Sequence, residues 1–189
     1  MSDAPRRSPP EEPGALNWAE GPLRLAAYAF FDLETTGLRP DRGARIAEIA
    51  VVGRDGVLLD WQRDAEGAQP LPDRLPRLLE RLRNRVVVGH HLSFDFRFVA
   101  YEARRHRLSI PRLQFIDTLG LARRVMTPAP DDARLGALLD RFDLAPDGPL
   151  HTALVDAKAT RALFWHLVEK GDIQTLADAG VKPLTWAAP

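Results

Sequence analysis

The residues of this chain with most chemistry to offer are Asp32 and Glu34, Asp95, and the pair His151 and Asp156. Asp32 and Glu34 stand two apart at the end of an apolar segment, Leu25 to Leu33, that reads as a buried strand. On a strand this spacing puts both carboxylates on one face and turns Leu33 to the core. Neighbouring carboxylates repel unless a cation bridges them. Thr35-Thr36-Gly37-Leu38 follows at once, a turn that lets backbone N–H groups and an apolar side chain approach a ligand. Asp95 falls in the first turn of a helix expected from Ser93, where a carboxylate is rigidly held at the end of the preceding strand. Asp156 belongs near the start of a long helix, with His151 in the loop before it. An imidazole titrates near neutrality, which suits proton transfer.

Each of these signals has a plainer reading when taken alone. An Asp-x-Glu is usually a solvated strand end. An Asp in the first turn of a helix favours the helix dipole. A histidine before a helix is usually a surface residue. Their joint occurrence, in this order and each on a suitable element, is what points to a cation site.

The elements that would position them follow from hydrophobic periodicity. Arg45 to Gly53 reads as a second strand and Gly56 to Gln62 as a third, joined by the turn Arg54-Asp55-Gly56. Leu75, Leu78, Leu79 and Leu82 predict a helix from about Asp73 to Arg83. Val86-Val87-Val88 is a short buried strand, and Ser93 is expected to cap a helix running to about His106. Leu113 to Ile116 is a fifth strand, and Asp117 opens a helix to about Val125. Two more helices are expected, over about Asp132–Arg141 and Thr152–Lys170. Three antiparallel strands followed by alternating helices and strands is an α/β order with a mixed five-stranded sheet flanked by helices. Residues 1–23, rich in Pro, Glu, Arg and Ser, read as a flexible tail. The folded domain is expected over residues 24–170, with a short C-terminal extension over 171–189.

Composition narrows the chemistry. The 189 residues suit one domain, and Lys+Arg equals Asp+Glu at 26 each. A basic groove can coexist with a neutral total, because a substrate feels the local field. There is no cysteine, so a metal would have to be held by carboxylate and imidazole, which favours Mg²⁺ or Mn²⁺. The apolar run Leu25 to Phe31 is far short of a membrane span, and the N-terminus does not read as a signal peptide. A cytoplasmic protein with no membrane partner is the expectation.

Over about Ala26 to Leu167 the chain resembles the DEDDh 3′–5′ exonuclease family, which includes the epsilon proofreading subunit of bacterial DNA polymerase III. The resemblance lies in Asp32-Leu33-Glu34-Thr35-Thr36-Gly37-Leu38, in His90-His91-Leu92-Ser93-Phe94-Asp95, and in His151 through Asp156 with Ala157 and Thr160. It implies a ribonuclease-H-like fold and removal of nucleotides from single-stranded or frayed DNA 3′ ends. It implies that Asp32, Glu34, Asp95 and Asp156 hold two divalent cations, roughly 3.5–4 Å apart, and that His151 is the general base. It places Thr35, Thr36, Leu38, His90 and Phe94 at the terminal nucleotide, where Phe94 could stack on a base or serve as core. Asp117-Thr118-Leu119 resembles a further family segment, in which a helix-capping role for Asp117 is preferred.

The chain departs from the family pattern in places. His91 stands where the family usually has Asn, and the connection over Asp64 to Pro72 lacks a His-Gly-Ile-Thr-like stretch. Residues 171–189 offer no long polymerase-binding tail, although association with a DNA polymerase stays within the family's range. The alternatives are a 3′ exoribonuclease of oligoribonuclease type and a non-catalytic, polymerase-accessory nucleic-acid-binding domain. The Asp-Leu-Glu-Thr-Thr-Gly-Leu form of the first motif favours DNA.

Overall fold

The computed structural model describes residues 21–184. Its strands are β1 (Tyr28–Thr35), β2 (Ile46–Val52), β3 (Val57–Gln62), β4 (Val86–Gly89), β5 (Leu113–Asp117) and β6 (Lys182–Leu184). Its helices are α1 (Leu71–Leu82), α2 (Ser93–Arg105), α3 (Thr118–Val125), α4 (Leu135–Arg141) and α5 (Ala153–Lys170). The strands form one mixed sheet in the order β3-β2-β1-β4-β5-β6. The first three make the expected antiparallel meander. β4 and β5 then add parallel to β1.

The sheet has six strands rather than five. The sixth is Lys182-Pro183-Leu184, antiparallel to β5. Three residues containing a proline carry no strand periodicity, and Pro183 is tolerated because β6 lies at the sheet edge. The segment before it packs on the domain as well. Ile173, Leu176 and Ala179 join the core, and Leu23 donates its N–H to the Gln174 carbonyl at 3.0 Å. Residues beyond 170 therefore contribute to the folded unit, as does Leu23, which has no exposed surface. Residues 1–20 of the tail expected over residues 1–23 lie outside the described residues.

Side chains alternate across β1 with period two, and that alternation aims the acids. Tyr28 and Phe30 pack into the core beneath α5, whereas Ala29, Phe31 and Leu33 pack beneath α1 and α2. Asp32 and Glu34 continue the even series, so they emerge beside the N-terminus of α5. β1 begins at Tyr28 rather than Leu25, because residues Leu23–Leu25 form a 3₁₀ turn and Leu25 is exposed.

Ser93 is the first residue of α2 and not its cap; the N-cap is Leu92, without a side-chain cap bond. The Asp117 carboxylate does that work from β5. It accepts from the N–H groups of His91 and Leu92 at 2.9 and 3.2 Å, and from Leu119 at 3.0 Å as the N-cap of α3. One carboxylate thus ties the entrance of two helices together. His91 has φ 64°, in the left-handed region. Histidine is among the few residue types enriched in that region.

Gly89 closes β4 against β1. A Cβ there would collide with the Leu92 side chain and sit 2.9 Å from the Phe31 carbonyl oxygen. Backbone on one side leaves little room for relief. Gly89→Ala is expected to destabilise the protein by about 1–3 kcal/mol, read as a lowered midpoint in urea. An unchanged midpoint would mean that this approach of β4 to β1 is loose.

Candidate active site

Three elements bring the acids together at the C-terminal end of β1. Asp32 and Glu34 come from the strand itself. A bulge follows immediately, because Glu34 pairs with Glu48 whereas Thr35 pairs with Ile46, skipping Ala47. Bulges of this kind re-aim side chains at a sheet rim. Asp95 arrives from the first turn of α2 on the opposite face of the sheet. It is 4% exposed, and its Oδ1 accepts the Leu33 N–H at 3.1 Å. Asp156 arrives in the first turn of α5. Its two carboxylate oxygens accept the His151 N–H at 3.2 and 3.4 Å. His151 is exposed, with φ 72°, on the loop that precedes α5.

The side chains of Glu34, His151 and Asp156 each offer a ligand atom within 4.8 Å of the others. Asp32, His151 and Asp156 line a cleft of about 570 Å³ together with His90 and His91. The electrostatics record the crowding. Burial raises the Asp32 carboxyl well above its ordinary range, and the charges of Asp95, Asp156, Glu34 and Glu48 raise it further. Burial, then Asp156 and Glu48, also raises Glu34. Asp156 is raised by burial and by Glu48, against the lowering effect of its bond from the His151 N–H. Asp95 is pushed up to about 8, chiefly by burial. A divalent cation among these oxygens would favour their charged forms, and hard oxygen and imidazole donors fit Mg²⁺ or Mn²⁺.

The other predicted contacts divide. Thr35 Oγ1 donates to the Gly37 carbonyl at 2.8 Å, and Thr36 Oγ1 accepts the Arg45 N–H at 2.9 Å. Both hydroxyls therefore shape the turn. Leu38 is 75% exposed and lines a depression with Arg39 and Arg42. His90 faces the cleft with both ring nitrogens engaged. Nε2 donates to the Ala133 carbonyl at 2.8 Å, and Nδ1 lies 2.9 Å from Thr118 Oγ1. Burial lowers its pKa, which keeps the ring neutral. Phe94 is not among the residues lining the cleft; it is half-buried against Phe98, ring centroids 5.2 Å apart.

With this geometry in view, the Exonuclease family matches residues 60–164, more than half of the chain. This chain belongs to the exonuclease family. The matched stretch holds Asp95, His151 and Asp156, while Asp32 and Glu34 precede it. Among curated relatives, the chain is 30% identical to a DNA polymerase III PolC-type protein of Halalkalibacterium halodurans, over 83% of this chain and 12% of that protein. It is 26% identical to the 3′-5′ exonuclease DinG of Bacillus subtilis, over 76% of this chain and 18% of the relative. The chain thus spans less than a fifth of either protein. Its fold is shared with the nuclease domain of 3′hExo, a DEDDh family member bound to rAMP. That likeness has a TM-score of 0.61 and 15% identity, covering 83% of this chain and 96% of that one.

Sequence reasoning missed Glu48. It lies directly across from Glu34 in the β1–β2 pairing. Its Oε2 accepts the Ala153 N–H at 3.0 Å, at the first residue of α5. Thr152, the N-cap residue of α5, makes no side-chain cap bond, so Glu48 supplies the cap from another strand. The available signal was a lone Glu inside the apolar run Ile46 to Val52. Glu48→Ala is expected to cost about 0.5–2 kcal/mol, the scale of a lost N-cap. Glu48→Gln keeps an acceptor and removes one charge from the acid cluster, so it should melt at or above wild type. Equal melting temperatures for the Ala and Gln variants would remove the capping role.

Proposed function

We propose that this domain is a 3′–5′ exonuclease that releases nucleoside monophosphates from single-stranded or frayed DNA ends. The observation that supports this most is the convergence of Asp32, Glu34, Asp95 and Asp156 from three elements, with His151 within ligand distance of Glu34 and Asp156. The four carboxylates would hold two divalent cations, which when bound supply positive charge to activate water and to stabilise the leaving oxygen. His151 stands in an exposed loop, anchored through its backbone N–H to Asp156. Its ring is free of that bond and takes the proton of the attacking water. Leu38 offers an apolar face to the terminal base. Thr35 and Thr36 hold the turn that presents it, and Phe94 backs the α2 entrance. His90 holds the Ala133 segment against the cleft.

The Asp-Leu-Glu-Thr-Thr-Gly-Leu form of the first motif supports DNA as the substrate. Similarity to PolC-type polymerases supports action beside a DNA polymerase. The test is monophosphate release from DNA and RNA single strands of matched sequence, with Mg²⁺ added to metal-stripped protein. DNA is expected to be consumed faster. Faster loss of RNA would assign an exoribonuclease, and release from neither would leave a nucleic-acid binder.

A further inference from the structure

A second groove, of about 810 Å³, opens beside the catalytic cleft. Leu119 and Arg123 line both, so the two spaces meet across α3. Four cations line the groove: Arg97 and Arg104 of α2, Arg123 of α3 and Lys182 of β6. All four are exposed, and none is in an ion pair among the described residues. The acids in the same wall are already engaged. Asp41 pairs with Arg39 at 2.7 Å, and Asp117 accepts three backbone N–H groups. In a chain whose formal net charge is zero, this is a concentrated positive field.

The cations are also ordered. Arg97 and Arg104 are seven residues apart on α2, so they share one helix face, with Tyr101 between them. Tyr101 and Phe115 line the groove and are half-buried; the Arg45 guanidinium lies 5.9 Å from the Tyr101 ring centroid, and Phe115 meets the Phe96 ring edge-on. Cations with aromatic surfaces between them suit a single-stranded nucleic acid, whose phosphates need charge and whose bases need stacking platforms. An acidic peptide would use the charge and leave the rings without a role.

We infer that this groove carries the strand upstream of the 3′ end, leading it across Leu119 and Arg123 into the cleft. The inference rests on the exonuclease reading for its direction and on the groove alone for binding. Phosphodiester backbones of DNA and RNA share the required chemistry.

The test uses the full chain in Ca²⁺ with 5′-fluorescein oligonucleotides of 3 and 12 nucleotides, as DNA and as RNA, followed by anisotropy. Wild type is expected to bind the 12-mer about tenfold or more tighter than the 3-mer. The double variant Arg104→Ala, Lys182→Ala should lose most of that gain while binding the 3-mer as wild type does. Its log K against log salt slope for the 12-mer should fall by about 0.7 for each phosphate that is no longer neutralised. Arg104→Lys, Lys182→Arg should keep the gain. The comparison of DNA with RNA shows which backbone the groove prefers. Equal wild-type affinity for both lengths, or equal losses on both in the double variant, would overturn the groove. Monophosphate release from the 3-mer in Mg²⁺ is scored separately. Cleavage without a length effect removes the groove and leaves the nuclease. A length effect without cleavage does the reverse.

Discussion

Asp32→Asn is expected to abolish hydrolysis and, in chelator, to raise the melting temperature. Both effects come from one cause. Asp32 is surrounded by Asp95, Asp156, Glu34 and Glu48, and burial with their charges holds its carboxyl well above the ordinary range. Asn keeps the shape and cannot ionise, so a ligand is lost and the cost of burying an ionisable carboxyl among other acids is relieved. The melting temperature should rise by ~2–4 °C for each kcal/mol relieved. The same cluster sets the pH dependence of the cation-free wild type. Folding raises these pKa values, so the folded protein holds more protons than the unfolded chain between the two values. Its stability is fully present below the ordinary carboxylate range and is lost as pH rises toward the raised values, with Asp95 at about 8. Thermal melts in chelator from pH 4 to 8 should therefore fall with pH, and Mg²⁺ should reverse the loss. A melt that is flat or rising over this range, or an Asp32→Asn variant less stable than wild type in chelator, would show that the acids do not repel one another.

His151→Asn separates proton transfer from cation binding. Asn tolerates the left-handed backbone that His151 adopts at φ 72°. It keeps the backbone N–H that Asp156 accepts, and it cannot serve as a base. Turnover should fall on the order of 10²–10⁴-fold, while Mn²⁺ binding to the acids stays near wild type by titration calorimetry. Wild-type turnover in the variant would reduce His151 to a loop residue. His90 is a poor replacement because both of its ring nitrogens are engaged, which leaves His91 as the next histidine to test.

The parts of this architecture legible from sequence were those written in local periodicity. Period two along β1 put Asp32 and Glu34 on one face, and helical spacing of leucines placed α1. Asp117 was legible as a cap because an Asp between a strand and a helix has few other uses. Its second bond set, to His91 and Leu92, was not, since it joins residues 25 and 26 positions apart. Glu48 was missed for the same reason: its importance lies in cross-strand register and in a bond to α5, 105 residues away. β6 was missed because three residues with a proline have no pattern of their own. The basic groove is assembled from α2, α3, β5 and β6, and in a neutral chain no single segment announces it.

The measurement that bears most directly on the central claim is the digestion of a 5′-labelled single strand of DNA by metal-stripped protein, with and without added Mg²⁺ or Mn²⁺. A ladder of shortening 5′-labelled products is expected, and only with the cation. Ca²⁺ should support binding with little turnover, because its larger and looser coordination shell misplaces the attacking water. Release of a labelled mononucleotide as the sole product, or full activity in excess chelator, would contradict it.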